Sequence, residues 1–184
     1  MVGLDSGEDV KTTLGVVTDL RLFVGKELDE RALDELRLLS LRSIAREKAL
    51  EILSRRPMSR AEVRKKLLEK GIDGDAADNC VAWLVDHSLI DEEVYAASVA
   101  RHYAAKGCGA GRIKTELNKR GISREMWDKA VFSAPDNSDK IHKFIASRLT
   151  DPSDRAQVGK VSQALYRRGL TWEEIRSALE RFEE

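Results

Sequence analysis

The chain has 184 residues and a mass of 20.7 kDa, and its 32 Lys and Arg balance 32 Asp and Glu to a formal net charge of zero. Charged residues make up 35%, apolar residues 42%, aromatics 5%, and there are only 3 Pro; this suits a folded helical protein and argues against a disordered or β-rich one. No apolar run approaches the ~20 residues of a membrane span, no signal-peptide core follows Met1, and Cys80 and Cys108 lack metal or disulfide-scaffold spacing, so a cytosolic protein with no cofactor, metal or membrane partner is expected.

Residues 1–29 carry Val16, Val17, Leu20, Leu22 and Val24 before Gly25, a pattern that fits a short hairpin or a leader. A helix is predicted from about 28–30 to Leu53, ended by Pro57. Ser59-Arg60-Ala61-Glu62 is a capping box that opens a second helix, running to Lys70 before Gly71. A third covers the acidic stretch 73–87, with Ala77, Val81 and Leu84 inward, and Asp91 caps a fourth to about Lys106. Gly107-Cys108-Gly109-Ala110-Gly111 breaks the pattern, and a fifth helix covers 112–120. Ser123 is placed as the cap of a sixth, Asp136 or Asp139 opens a seventh to about Leu149, and an eighth reaches Arg168. The capping box Thr171-Trp172-Glu173-Glu174 opens the last.

Gly71, Gly121 and Gly169 set a period near fifty residues. Four positions before each stand Leu67, Leu117 and Leu165; eight before stand Val63, Ile113 and Val161; one after stand Ile72, Ile122 and Leu170. The pattern is one apolar helical face, an αL glycine stop and an apolar residue behind it. The expected fold is all-α: three tandem three-helix units at 41–90, 91–135 and 136–184, stacked into an elongated, curved array behind an N-terminal extension at 1–40.

Residues 45–184 resemble the RecX family. The resemblance rests on Ala49-Leu50-Glu51-Ile52-Leu53-Ser54-Arg55-Arg56, on Ser59 to Leu67 with Lys70-Gly71, and on Leu89-Ile90-Asp91-Glu92-Glu93-Val94-Tyr95-Ala96. It continues through Gly109-Ala110-Gly111-Arg112-Ile113-Lys114-Thr115-Glu116-Leu117 and Lys119-Arg120-Gly121-Ile122. The family usually has two adjacent Asp where this chain has Asp91-Glu92, and Phe where it has Tyr95. The glycine-anchored repeats predict a monomer and no residue constellation supports an enzyme; the resemblance implies a helical regulator. It would bind the groove of the RecA recombinase filament and inhibit its ATPase and strand exchange, with single- or double-stranded DNA as a further candidate partner.

Zero net charge conceals a strong alternation. Residues 1–40 hold 5 basic and 9 acidic side chains, 42–70 hold 10 and 4, 71–93 hold seven acids and no Lys or Arg, and 101–124 hold 7 basic residues and one acid. The cations gather on second helices: Arg60, Arg64, Lys65, Lys66 and Lys70; Arg112, Lys114, Lys119 and Arg120; and Lys160, Arg167 and Arg168. The residue before each glycine is a cation, which also suits the negative end of the helix dipole. Same-helix acids answer several others, as Glu62 with Lys66, Lys65 with Glu69, and Glu116 with Arg112 and Arg120. Arg64 and Lys114 each lie seven residues before their glycine and lack a carboxylate one turn on, so they lead the candidate basic surface, joined by Arg55, Arg56 and Arg101. A helix-turn-helix DNA-binding module is the competing reading, but the acidic third helix at 73–87 opposes it. His87, His102 and His142 are dispersed and read as solvated. The glycine cluster lacks the lysine of a P-loop, and Trp83, Trp127 and Trp172 read as core.

Overall fold

The computed structural model describes residues 1–183, which form two units, Met1–Ile90 and the residues from Asp91 onward. In the first, Val2–Gly3 (β1) pairs antiparallel with Asp9–Val10 (β2), Val2 opposite Val10. The hairpin therefore lies earlier than the apolar stretch that suggested one. That stretch instead starts as a short helix, Leu14–Asp19 (α1), whose Val16 is buried. Asp29 accepts from the Ala32 amide at 2.7 Å and opens Glu30–Leu53 (α2).

This helix serves two clusters. Its first half sets Leu36 against Val10 and Val16, and the buried Ser40 hydroxyl donates to Thr12 at 2.7 Å. Its second half sets Ala45, Ala49 and Ile52 against Arg60–Glu69 (α3) and Gly74–Asp86 (α4), where Val63, Leu67, Ala77, Cys80 and Leu84 complete the core. The small alanines of α2 let the other two helices approach closely.

The second unit repeats that arrangement twice. Glu92–Ala104 (α5), Ala110–Lys119 (α6) and Trp127–Phe132 (α7) enclose a core containing Ala96, Ala100, Ile113 and Leu117. Ser138–Ala146 (α8), Arg155–Arg167 (α9) and Trp172–Glu183 (α10) enclose Ile145, Val161, Leu165 and Ile175. Ser123 makes no side-chain cap, because a 3-10 turn at Arg124–Met126 tightens the entry to α7. Both capping boxes form, and Leu67, Leu117 and Leu165 are fully buried.

Each second helix ends identically. The Ile72, Ile122 and Leu170 amides reach back to the carbonyls of Leu67, Leu117 and Leu165 at 3.0, 3.1 and 3.3 Å, around glycines at φ +76°, +67° and +83°. This double-bonded stop requires the left-handed conformation at its glycine.

The glycine cluster joins the second repeat to the third. Gly109 donates its amide to the Arg168 carbonyl at 2.9 Å and Gly111 to that of Gly169 at 3.0 Å, so carbonyls from another repeat cap α6 where no side chain does. The backbones are so close that a Cβ on Gly109 would fall 2.5 Å from the Gly169 oxygen, and one on Gly169 would overlap the Arg112 amide nitrogen. Arg168 fastens the same joint, donating to the Lys106 carbonyl at 2.7 Å with its guanidinium 3.9 Å from the Phe144 ring centre.

Candidate basic interface

In the first unit the turn at Pro57 and the capping box at Ser59 bring the end of α2 beside α3. Arg55, Arg56, Lys66 and Lys70 gather with Glu51 and Glu69 around a depression of about 320 Å³ floored by Ile52 and Met58. Arg55 reaches Glu51 at 3.0 Å, Lys70 reaches the same carboxylate at 3.3 Å, and Arg56 reaches Glu62 at 3.0 Å. The Lys70 hydrogen bond, with Arg55 adding to it, holds the Glu51 carboxyl below its ordinary range. Lys65 touches Glu69 at 3.9 Å, whereas half-buried Lys66 has no ion pair among the described residues: Glu62, its expected partner, closes the capping box and binds Arg56. Arg60 occupies the first position of α3. Four cations around two acids leave this depression positive. Lys48, which the sequence did not single out, adds a further cation by donating to the Lys70 carbonyl at 2.9 Å.

Arg64 is not unpaired as expected. Its guanidinium forks onto Asp78 of α4 at 2.5 and 3.0 Å, raising its own pKa and lowering that of the acid through the hydrogen bonds. Lys114 is held in the same way by Asp128 of α7 at 2.7 Å. Both acids lie 14 residues after their cation, on the next helix, so a search confined to one turn of the same helix does not find them. The third repeat has Ser162 and Arg176 at the matching positions.

In the second unit Arg112, Lys119 and Arg120 converge on Glu116, whose side chain is only 7% exposed. Arg120 contacts it at 2.8 Å, Arg112 at 3.0 Å and Lys119 at 3.2 Å, and the Tyr103 hydroxyl donates to it at 2.9 Å. The Arg120 hydrogen bond is the largest cause holding the Glu116 carboxyl down at about 2, well below the usual carboxylate range. Three cations around one carboxylate again leave a positive surface. Arg101 is exposed in the last turn of α5 and makes no ion pair among the described residues.

The cations before the repeat glycines are all engaged: Lys70 with Glu51, Arg120 with Glu116, and Arg168 at the joint between repeats. Trp83 lies half-buried under the Arg46 guanidinium, 4.4 Å from its ring centre, and Trp127 donates to the Ile122 carbonyl at 2.9 Å. Trp172 departs from the core assignment. It is 59% exposed and stacks on Tyr166, because it stands at the first position of α10, outside the stripe of Ile175 and Leu179. His87, His102 and His142 are exposed, and no group of His, Cys, Asp or Glu among the described residues could hold a metal. No helix among those residues is long and apolar enough to cross a membrane.

Two family models match the chain: the first three-helix domain of RecX over residues 45–84 and the second over 91–131. The chain is similar to the regulatory protein RecX of Xanthomonas axonopodis pv. citri (strain 306), 35% identical over 135 residues, covering 72% of this chain and 83% of that one. It is 28% identical over 134 residues to the regulatory protein RecX of Vibrio vulnificus (strain CMCP6), covering 71% and 88%. Among solved structures, RecX from Lactobacillus salivarius aligns with a TM-score of 0.69 at 26% identity, over 78% of this chain and 97% of that one. Another regulatory protein RecX shares the fold with a TM-score of 0.78 at 24% identity, over 98% and 92%.

Proposed function

The chain belongs to the RecX family, and on that premise we propose that it regulates homologous recombination and DNA repair by docking on the RecA filament. Docking inhibits the filament's ATPase and strand exchange, and the regulator performs no catalysis of its own. It works in the cytoplasm as a monomer.

The supporting observation is where the cations lie. In the first unit the turn after α2 and helix α3 gather Arg55, Arg56, Lys66 and Lys70, and in the second α6 and its C-terminal end gather Arg112, Lys119 and Arg120. Such surfaces suit an acidic protein face or a phosphate backbone. A helix-turn-helix module would instead need a cationic third helix in the major groove. The third helix α4 carries Asp75, Asp78 and Asp86 and neither Lys nor Arg. Base readout in a major groove is therefore the weaker reading.

The test titrates the protein into RecA filaments and follows ATP hydrolysis. Lys66→Glu and Arg101→Glu reverse two cations that have no carboxylate partner among the described residues, so the fold should survive both. Together they should weaken inhibition at least tenfold, since like charges set against a complementary face cost several kcal/mol. Equal inhibition by a folded double variant refutes the assignment of the docking face.

A further inference from the structure

We propose that Tyr166 and Trp172 form a stacking platform for the bases of single-stranded nucleic acid, with Arg167 and Arg176 contacting the flanking phosphates. The proposal goes beyond the filament reading and does not rest on it.

The two rings lie 5.2 Å apart between centres at an interplanar angle of 16°, and they are 53% and 59% exposed. Large aromatic side chains ordinarily bury most of their surface, and a nearly parallel pair left open offers an outer π-face that another planar ring can extend. Such faces bind bases of any sequence, because every base has a π-face of its own.

Charge selects the occupant. Arg167 adjoins Tyr166 in the chain and, among the described residues, donates only to the neutral Gln163 amide, at 3.1 Å. Arg176 lies one turn after Trp172, is exposed, and has no hydrogen bond or ion pair among the described residues. Glu173 and Glu180 are exposed on the same helix, yet neither comes within ion-pair distance of it. Two cations without carboxylate partners among the described residues, on the two helices that carry the open aromatic stack, match a sugar-phosphate chain that presents unpaired bases.

The repeats sharpen the point. The positions of Tyr166 and Trp172 relative to Gly169 hold Leu68 and Gly74 in the first repeat, and Asn118 and Arg124 in the second. The cross-helix pairs Arg64–Asp78 and Lys114–Asp128 are replaced in the third by Ser162 and Arg176. Only there does the register lose the neutralising acid and gain two exposed rings.

The experiment measures anisotropy of a labelled 15-nucleotide oligo-dT against the full chain, together with tryptophan emission. The wild-type protein should bind saturably and show quenching. Trp172→Ala and Tyr166→Ala should each weaken binding about tenfold, the scale of one lost base stack, while Trp172→Phe retains most of it. An abasic oligomer of equal length should bind the wild type as weakly as oligo-dT binds Trp172→Ala. Arg176→Gln should reduce the salt slope by about 0.7, the single-strand value for one phosphate. No binding, equal binding of abasic and oligo-dT strands, or a folded Trp172→Ala that binds like wild type would overturn the proposal. A Trp172→Ala protein that binds oligo-dT normally but no longer inhibits filaments would assign the rings to a protein partner and equally overturn it. RecA is absent from the oligonucleotide assay, so its failure leaves the filament reading standing.

Discussion

Replacing Glu116 with Gln tests the charge cluster of α6. The carboxylate is buried, meets Arg112, Lys119 and Arg120 within 3.2 Å, and accepts from Tyr103. Lowering its pKa from 4.5 to about 2 means that the folded state favours the ionised form; at about 1.36 kcal/mol per unit this amounts to roughly 3 kcal/mol. Gln keeps an acceptor for part of the network, so the expected loss at neutral pH is about 2 kcal/mol. Because the folded pKa is the lower one, the contribution is complete above the ordinary carboxylate value and is lost as pH falls from 4.5 towards 2. Urea unfolding followed by the emission of Trp127, in the same repeat, reads the effect. The gap between wild type and Glu116→Gln should be about 2 kcal/mol at pH 7 and under about 1 kcal/mol at pH 2.5. A gap below about 0.5 kcal/mol at pH 7, or one that does not change with pH, would refute the reasoning.

Leu117→Ala removes a fully buried side chain from the middle repeat and should cost about 2–5 kcal/mol in chemical denaturation; a loss below about 1 kcal/mol would displace the assigned core. Gly71→Ala should cost about 1 kcal/mol, because φ is +76° but a Cβ there meets nothing within 4 Å. Gly169→Ala should cost about 3 kcal/mol or more, since the same backbone penalty is joined by overlap with Arg112; equal losses at the two glycines would contradict the close approach of the repeats.

The fold was legible wherever the determinant was local. The glycine stops, the leucines four positions before them and both capping boxes depend on residues within one or two turns of each other, and each stands where the spacing put it. The apolar run around Val16 does not fix its own element, because a short segment with one inward valine fits a strand edge or a helix turn equally well; the hairpin forms earlier in the same stretch. The site was legible as a distribution of charge, but its pairings were not. Asp78 and Asp128 reach back from the following helix, and only the packed fold brings them to Arg64 and Lys114. Trp172 carried the same kind of ambiguity: its spacing placed it near the apolar stripe, and its position at the helix start turned it outward.

The carbonyls that cap α6 have a consequence for synthesis on the ribosome. Gly109 and Gly111 wait for partners at Arg168 and Gly169, some sixty residues further along the chain. At roughly 5–20 residues per second, those partners are made about 3–12 s later. Until then the first turn of α6 is open to water, even though its apolar contacts with α5 and α7 are already available. The second repeat can therefore collapse early, but its last hydrogen bonds are set only once Arg168 and Gly169 have been made. A nascent chain stalled before residue 168 would hold a middle repeat with a frayed, protease-accessible glycine segment.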